Sequence, residues 1–197
     1  MVRPHWGVLY WSAGRILAGW AKTSGDLVEE KAWTKRARSV ETHIDALWDG
    51  RTGMFFAASL DCRQTDIWGS AYAVYYGFPL GDKKDRIVSC LASNFSRYAW
   101  HGQIRHLPAG EYWQRQLMPV EKERYQNGAY WATPTGWVMG ALNGKDRTLA
   151  KRLWVDLIDD FRAGGICECV SPDGNRQLPS YVNSATNPLG AARRLGF

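Results

Sequence analysis

Apolar residues recur at helical spacing in one stretch after another along this chain, and Gly, Asp-Gly or Asn-Gly cuts each stretch off. That punctuation limits the fold more than any other feature. The clearest case is Trp33, Ala37, Val40, Ile44 and Leu47, which step by four, three, four and three. Asp26-Leu27-Val28-Glu29 ahead of it resembles a capping box, and Asp49-Gly50 ends it. Leu9, Ala13, Ile16, Leu17 and Trp20 mark an earlier helix over 8–21. Asp66 to Ser70 leads into a small-residue helix, Ala71 to Tyr76. Asp82 is expected to cap a helix carrying Ile87, Val88, Leu91, Phe95 and Tyr98. Asp146 is expected to cap another, marked by Leu149, Leu153, Leu157 and Phe161 and stopped by Gly164-Gly165. A last helix starts at Asn187-Pro188, or a turn earlier near Ser184, and runs through Arg194. Extended pieces are short: Met54 to Ala58, and Ile166 to Val170 before the turn at Ser171-Pro172-Asp173-Gly174. The reading is all-α, about seven helices in antiparallel pairs, with long aromatic loops and one domain over 1–197. No 34- or 40-residue repeat marks a regular solenoid.

The densest chemistry lies in Arg124-Tyr125-Gln126-Asn127-Gly128-Ala129-Tyr130-Trp131-Ala132-Thr133-Pro134-Thr135-Gly136-Trp137. Thr133 suits an N-cap and Pro134 the first helical position. Trp137, Val138, Ala141 and Leu142 then form an apolar stripe, and Asn143-Gly144 closes the helix with residues that tolerate the left-handed conformation. An aromatic, amide-rich loop thus sits at a helix mouth. A sugar ring needs such a surface, with hydrogen bonds for its hydroxyl edge and flat apolar faces for its C–H side. The loop before it, 100–124, holds Pro108, Gly110 and Pro119 and has no clean period, so it reads as one long loop.

Composition excludes several classes. The net charge is +6, but apart from Lys31, Lys35, Arg36 and Arg38 on one helix the basic residues are dispersed. No recognition motif accompanies them, so nucleic acid is not an expected partner. No run approaches a membrane span, and the first seven residues lack the apolar core of a signal peptide, so the expected location is cytoplasmic. Cys62, Cys90, Cys167 and Cys169 form no CxxC pair and have no flanking His pair at zinc spacing, so reduced thiols and no metal or cofactor are expected. Eleven tryptophans exceed the usual share; many must be core.

Four stretches together resemble one superfamily. Tyr125-Gln126-Asn127-Gly128-Ala129-Tyr130-Trp131 resembles the Tyr-His/Gln-Asn-Gly-Gly-x-Trp-Pro motif of the six-hairpin, (α/α)6-toroid glycosidases. These include alkaline and neutral invertases, the C-terminal domain of glycogen-debranching enzyme, and trehalase and glucoamylase relatives. Arg63-Gln64-Thr65-Asp66-Ile67-Trp68 resembles their Arg-x-Asp-x-x-Trp segment with one residue added. Leu107-Pro108-Ala109-Gly110-Glu111-Tyr112-Trp113 resembles the loop before the central motif. Gly165-Ile166-Cys167-Glu168-Cys169, with Asp173-Gly174 and Tyr181, resembles the Trp-Pro-Glu-Tyr-Tyr-Asp…Gly segment. All four fall in family order, over roughly 10–195.

The resemblance implies a ring of inner and outer helices with a sugar cleft at one end. Two carboxylates there act by inversion, typically ~6.5–9.5 Å apart. Glu168 would be the general base. If Ile166 to Val170 is extended, Cys167 and Cys169 face packing and Glu168 faces the other way; the alternative is a solvated loop glutamate. Asp66, Trp68, Glu111, Gln126, Asn127, Tyr130 and Trp131 would bind an oligosaccharide. The alternative for Asp66 is an N-cap of the small-residue helix, and for Trp68 and Trp131 it is a place in the core. His101 and His106 read as loop residues, which weighs against an epimerase-type His pair.

The pattern is partial. A twelve-helix toroid needs on the order of 200–250 residues before its long loops. The motifs found belong to the C-terminal half of the family pattern, and the Asp-rich segment that supplies the general acid has no counterpart. The expectation is therefore an incomplete toroid whose general acid lies outside this chain. It self-associates, or a partner chain completes it. The alternative function is a non-catalytic carbohydrate-binding fragment.

Overall fold

The structure, a computed structural model, describes residues 4–58 and 62–197. Its helices are α1 (Pro4–Ser24), α2 (Leu27–His43), α3 (Ile67–Tyr75), α4 (Lys83–Ser93), α5 (Thr135–Asn143), α6 (Arg147–Gly164) and α7 (Val182–Leu195). Three aspartates start helices as side-chain caps. Asp26 accepts from the Glu29 amide at 3.0 Å, Asp66 from Gly69 at 2.8 Å and Asp146 from Leu149 at 2.8 Å.

Several local expectations are corrected. Asp82 makes no cap bond, because its backbone is already helical (φ −62°, ψ −19°). Pro134, not Thr133, occupies the cap of α5; Thr135 N–H bonds the Ala132 carbonyl at 3.0 Å, and this tight turn starts the helix one residue late. Gly144 ends α5 in the right-handed region (φ −73°), since the chain turns at once into the Asp146 cap. Pro188 lies inside α7, which begins at Val182.

The helices form an arc. α1, α3, α5 and α7 pack each on the next, and α2, α4 and α6 each pair with the inner helix before them. α3 and α5 are therefore buried almost all round, which their small residues permit. At Gly136 a Cβ would stand 2.8 Å from the Asn187 carbonyl oxygen, so a side chain there would push α7 away from α5. This is an incomplete (α/α)6 toroid, all-α apart from two small sheets.

The sheets hold the site. β1 (Trp48–Asp49) and β2 (Met54–Phe55) form a hairpin. A five-stranded antiparallel sheet runs in the order β3 (Ala99–Trp100), β4 (Gln103–Ile104), β5 (Tyr130–Trp131), β6 (Cys167–Val170), β7 (Arg176–Pro179). The long loop expected over 100–124 thus opens with a hairpin, turned by His101 (φ 49°) and Gly102 (φ 73°). Strands this short have no periodicity to read; pairing with distant partners makes them.

Asp160 on α6 fastens the sheet to the helices. It is buried and accepts from Gln103 on β4 at 2.7 Å and from both Arg176 amino groups on β7, at 3.1 and 2.5 Å. Asp160→Ala leaves Arg176 and Gln103 without this partner. Arg176 is partly solvated, so the expected loss is about 2–3 kcal/mol, below the range for a fully buried pair. Urea unfolding would read it as a lower midpoint at unchanged slope.

Candidate active site

Strand pairing brings the two chemically richest stretches together. Trp131 lies opposite Cys169 and Tyr130 opposite Val170, so Glu168 stands beside the end of the central motif. Alternation on β6 sends Cys169 into the main core. Glu168 faces the hydroxyls of Tyr125 and Tyr181. Its residue surface is only 5% exposed, and Oε2 has no hydrogen-bond partner. Burial pushes its carboxyl above the usual carboxylate range, and the two tyrosine hydroxyls pull it partly back.

Tyr125 is held in place from several sides. Its φ is +39°, an uncommon conformation for a side-chain-bearing residue. Its carbonyl accepts from the Ala129 amide at 3.1 Å and from Trp131 Nε1 at 3.2 Å. Its ring packs on Trp131 at 4.9 Å. An aromatic series continues from Trp131 to Trp68 at 5.6 Å, and Trp68 stacks on His106 at 4.1 Å and 11°.

His106 Nε2 lies 3.3 Å from Asp66 Oδ1, the atom that also caps α3. Asp66 thus both caps a helix and lines a cavity. His106 Nδ1 and Trp68 Nε1 are buried without hydrogen-bond partners. His5 completes this floor. Burial holds its imidazole below the ordinary value; Asp66 opposes that shift and His106 adds to it.

The cavity over this floor has a volume of about 300 Å³. Asp66, His106, Arg115, Gln116, Tyr125, Gln126 and Asn127 supply its polar surface. Trp6, Ala57, Ala58, Trp113, Leu117, Met118 and Val120 supply apolar walls. Asn127 spends both ends of its amide on the loop: Oδ1 accepts from the Trp113 amide and Nδ2 donates to the Val120 carbonyl, each at 2.8 Å. Gln64 does the same from the other side, bonding the Tyr112 carbonyl at 2.9 Å and the Gln114 amide at 2.8 Å. The loop carrying Leu117 and Met118 is thereby fixed at its base, while those two tips stay exposed.

Among the residues singled out in the sequence, Asp66, Gln126 and Asn127 line this cavity. Trp68 and Trp131 lie in the core just behind it, and Glu168 lies behind Tyr125. Tyr130 is on the opposite face of β5, against Trp100 at 5.3 Å and under the Arg105 guanidinium at 5.4 Å. Glu111 pairs with Arg97 at 3.4 Å and borders a second hollow of about 480 Å³, with Asp49, Arg51 and Arg63. Sequence reasoning left out Tyr125, Tyr181, His106 and His5. Both tyrosines stand inside quoted motifs, so the signal was present; His106 and His5 carry none, since only folding sets them around Asp66. Among the described residues, no three of His, Cys, Asp or Glu gather as a metal site, and no helix is long and apolar enough to cross a membrane.

The family described as the mannosylglycerate hydrolase MGH1-like glycoside hydrolase domain matches residues 1–183. No curated protein matches the chain. Among solved structures, an uncharacterized conserved protein from Thermus thermophilus is similar at TM-score 0.68 and 20% identity, over 95% of this chain and 47% of that one. The GH63 mannosylglycerate hydrolase from Thermus thermophilus in complex with glucose is similar at 0.67 and 18%, over 98% of this chain and 45% of that one. A sialidase is similar at 0.74 and 14%, over 99% of this chain and 20% of that one. The chain therefore spans less than half the length of these proteins, and at such identities the likeness is one of fold. It agrees with the arc of helix pairs and with the six-hairpin glycosidase motifs. Matched over nearly its whole length, the chain belongs to the mannosylglycerate hydrolase MGH1-like glycoside hydrolase domain family.

Proposed function

We propose that this domain takes part in hydrolysing a glycosidic bond of an oligosaccharide or sugar conjugate by inversion, with Glu168 as the general base. Asp66, Gln126 and Trp131 lie on or beside the sugar cavity, and the acid that protonates the leaving oxygen comes from outside this chain. The observation that carries the proposal is a buried carboxylate with one unpartnered oxygen, placed against the tyrosine that forms the cavity wall. A carboxyl raised above its ordinary range is a stronger base near neutral pH than a solvated one.

Glycosyl fluorides test this directly, because fluoride leaves without needing a proton. The base alone then suffices, and Glu168 activates a water on the far side of the ring. Mannosylglycerate, sucrose, trehalose and short α-glucans form the companion panel, on which the isolated chain is expected to be slow. Fluoride release by the chain that survives Glu168→Gln would remove Glu168 from this role.

One observation favours a second reading. Glu168 is not itself part of the cavity surface, and Tyr125 intervenes. A domain that only binds saccharide would quench its tryptophan fluorescence on adding sugar and release no fluoride.

Tyr125→Phe gives a pH signature. The Tyr125 hydroxyl lowers the Glu168 pKa, so its removal lets burial push that carboxyl higher still. The base works ionised, so the acid limb of the rate profile moves to higher pH, while the plateau changes less. A limb that stays in place would argue against contact between these two groups in the working enzyme.

A further inference from the structure

The helix α1 has two apolar faces, and the fold uses one. Val8, Trp11, Gly14 and Ala18 are buried against its neighbours. On the opposite side Trp6 is 64% exposed, Leu9 43%, Tyr10 47%, Ile16 52% and Trp20 69%. Ala13 is exposed between them and Leu17 is half-buried. No charged residue interrupts this stripe; Arg15 and Lys22 fall off it by helical phase.

The order of the stripe is symmetric. Counting from Ala13, large apolar residues stand three, four and seven positions away in both directions: Tyr10, Leu9 and Trp6 on one side, Ile16, Leu17 and Trp20 on the other. An antiparallel copy of the same helix would set Trp6 against Trp20 of the second copy and the inner pairs against each other. The smallest side chain would lie on the axis, where the backbones come closest. This is the self-complementarity that a two-fold contact requires.

We propose that the outer face of α1 is the seam of a homodimer, with a second copy of this chain packed antiparallel about Ala13. At roughly 150–250 Å² for a whole aromatic side chain, the exposed apolar surface is on the order of 500 Å² per copy. Two copies then bury on the order of 1,000 Å², near the lower bound for a specific interface. The seam reaches the cavity mouth, because Trp6 also lines the cavity. Each copy carries a net charge of +6, so added salt should tighten the dimer by screening repulsion.

Sedimentation velocity on the full chain over a wide concentration range tests this, with circular dichroism as the check on folding. The expected result is a monomer–dimer equilibrium that Trp20→Glu weakens by roughly tenfold or more. Ala13→Lys, which sets two like charges at the axis, should weaken it similarly and serves if the first variant folds poorly. With added diamide as oxidant, two copies of the Ala13→Cys variant should join by one disulfide. The unsubstituted chain and the Lys31→Cys variant should not. A chain that stays monomeric throughout, leaving the face to some other helical partner, overturns the proposal. So does a dimer indifferent to both substitutions, or one that Ala13→Cys cannot link.

Discussion

Glu168→Gln is expected to lower fluoride release from glycosyl fluorides by ~10²–10⁴-fold, the usual worth of a positioned base, without lowering stability at neutral pH. Both halves follow from burial. In the folded chain the Glu168 carboxyl holds its proton more tightly than in the unfolded chain. Its contribution to stability is therefore fully present below the ordinary carboxylate pKa. It is lost as pH rises from that value through the raised folded one. Glutamine cannot ionise and escapes that loss, so the variant should melt at or above the native temperature at pH 7 and above. The difference should shrink as pH falls below the carboxylate range. Thermal melts at several pH values, run beside the turnover assay, check the two together. A variant that gains stability and keeps full turnover would make Glu168 a structural acid, not a base.

The same burial explains why the site was only partly legible in the sequence. Helix existence was legible because Trp33 to Val40 and Leu149 to Phe161 repeat a period that only a helix satisfies, although α2 stops at His43 and Ile44 to Leu47 wind into a separate 3-10 turn. Asp26, Asp66 and Asp146 announced their caps because the capping bond is local. Asp82 and Thr133 carried the same residue-type signal and failed, since whether an oxygen meets an amide depends on backbone angles that the residue type does not state. The motifs at 125–131 and 165–169 pointed to their own convergence, and the pairing of Trp131 with Cys169 is what brings them together. Tyr130 was grouped with the others because it shares the first of those stretches, and Glu111 because it lies in the motif at 107–113. Alternation along β5 turns Tyr130 to the far face, and Arg97 draws Glu111 to a different hollow. His106 illustrates the converse: its stacking on Trp68 and its approach to Asp66 join residues 38 to 40 positions apart, with no local pattern to mark them.

Gly102→Ala should be the most damaging single methyl group in the chain, costing at least ~4 kcal/mol or preventing folding. Three effects coincide there. The residue turns the β3–β4 hairpin with φ +73°, a conformation that costs alanine on the order of 1 kcal/mol or more. An added Cβ would stand 2.2 Å from the Leu157 amide nitrogen and 2.4 Å from its Cα, and backbone in the middle of α6 cannot step aside as a side-chain tip could. The Gly102 carbonyl also accepts the Thr135 hydroxyl at 2.7 Å, a fully buried bond at the start of α5 that any retreat of the turn would stretch. The hairpin thus serves as a spacer between α5 and α6, and β5 pairs on its far strand at Ile104 opposite Trp131. A push at Gly102 is therefore transmitted through Trp131 to Tyr125 and the cavity wall. Equilibrium unfolding in guanidinium would show the loss. Gly110→Ala is the matched control: its φ is +85°, but nothing lies within 4 Å of the new methyl group, so it reports backbone strain alone. If the two variants lose the same amount, the close packing of the turn on α6 contributes nothing, and the hairpin is not the wedge that sets the spacing of the site.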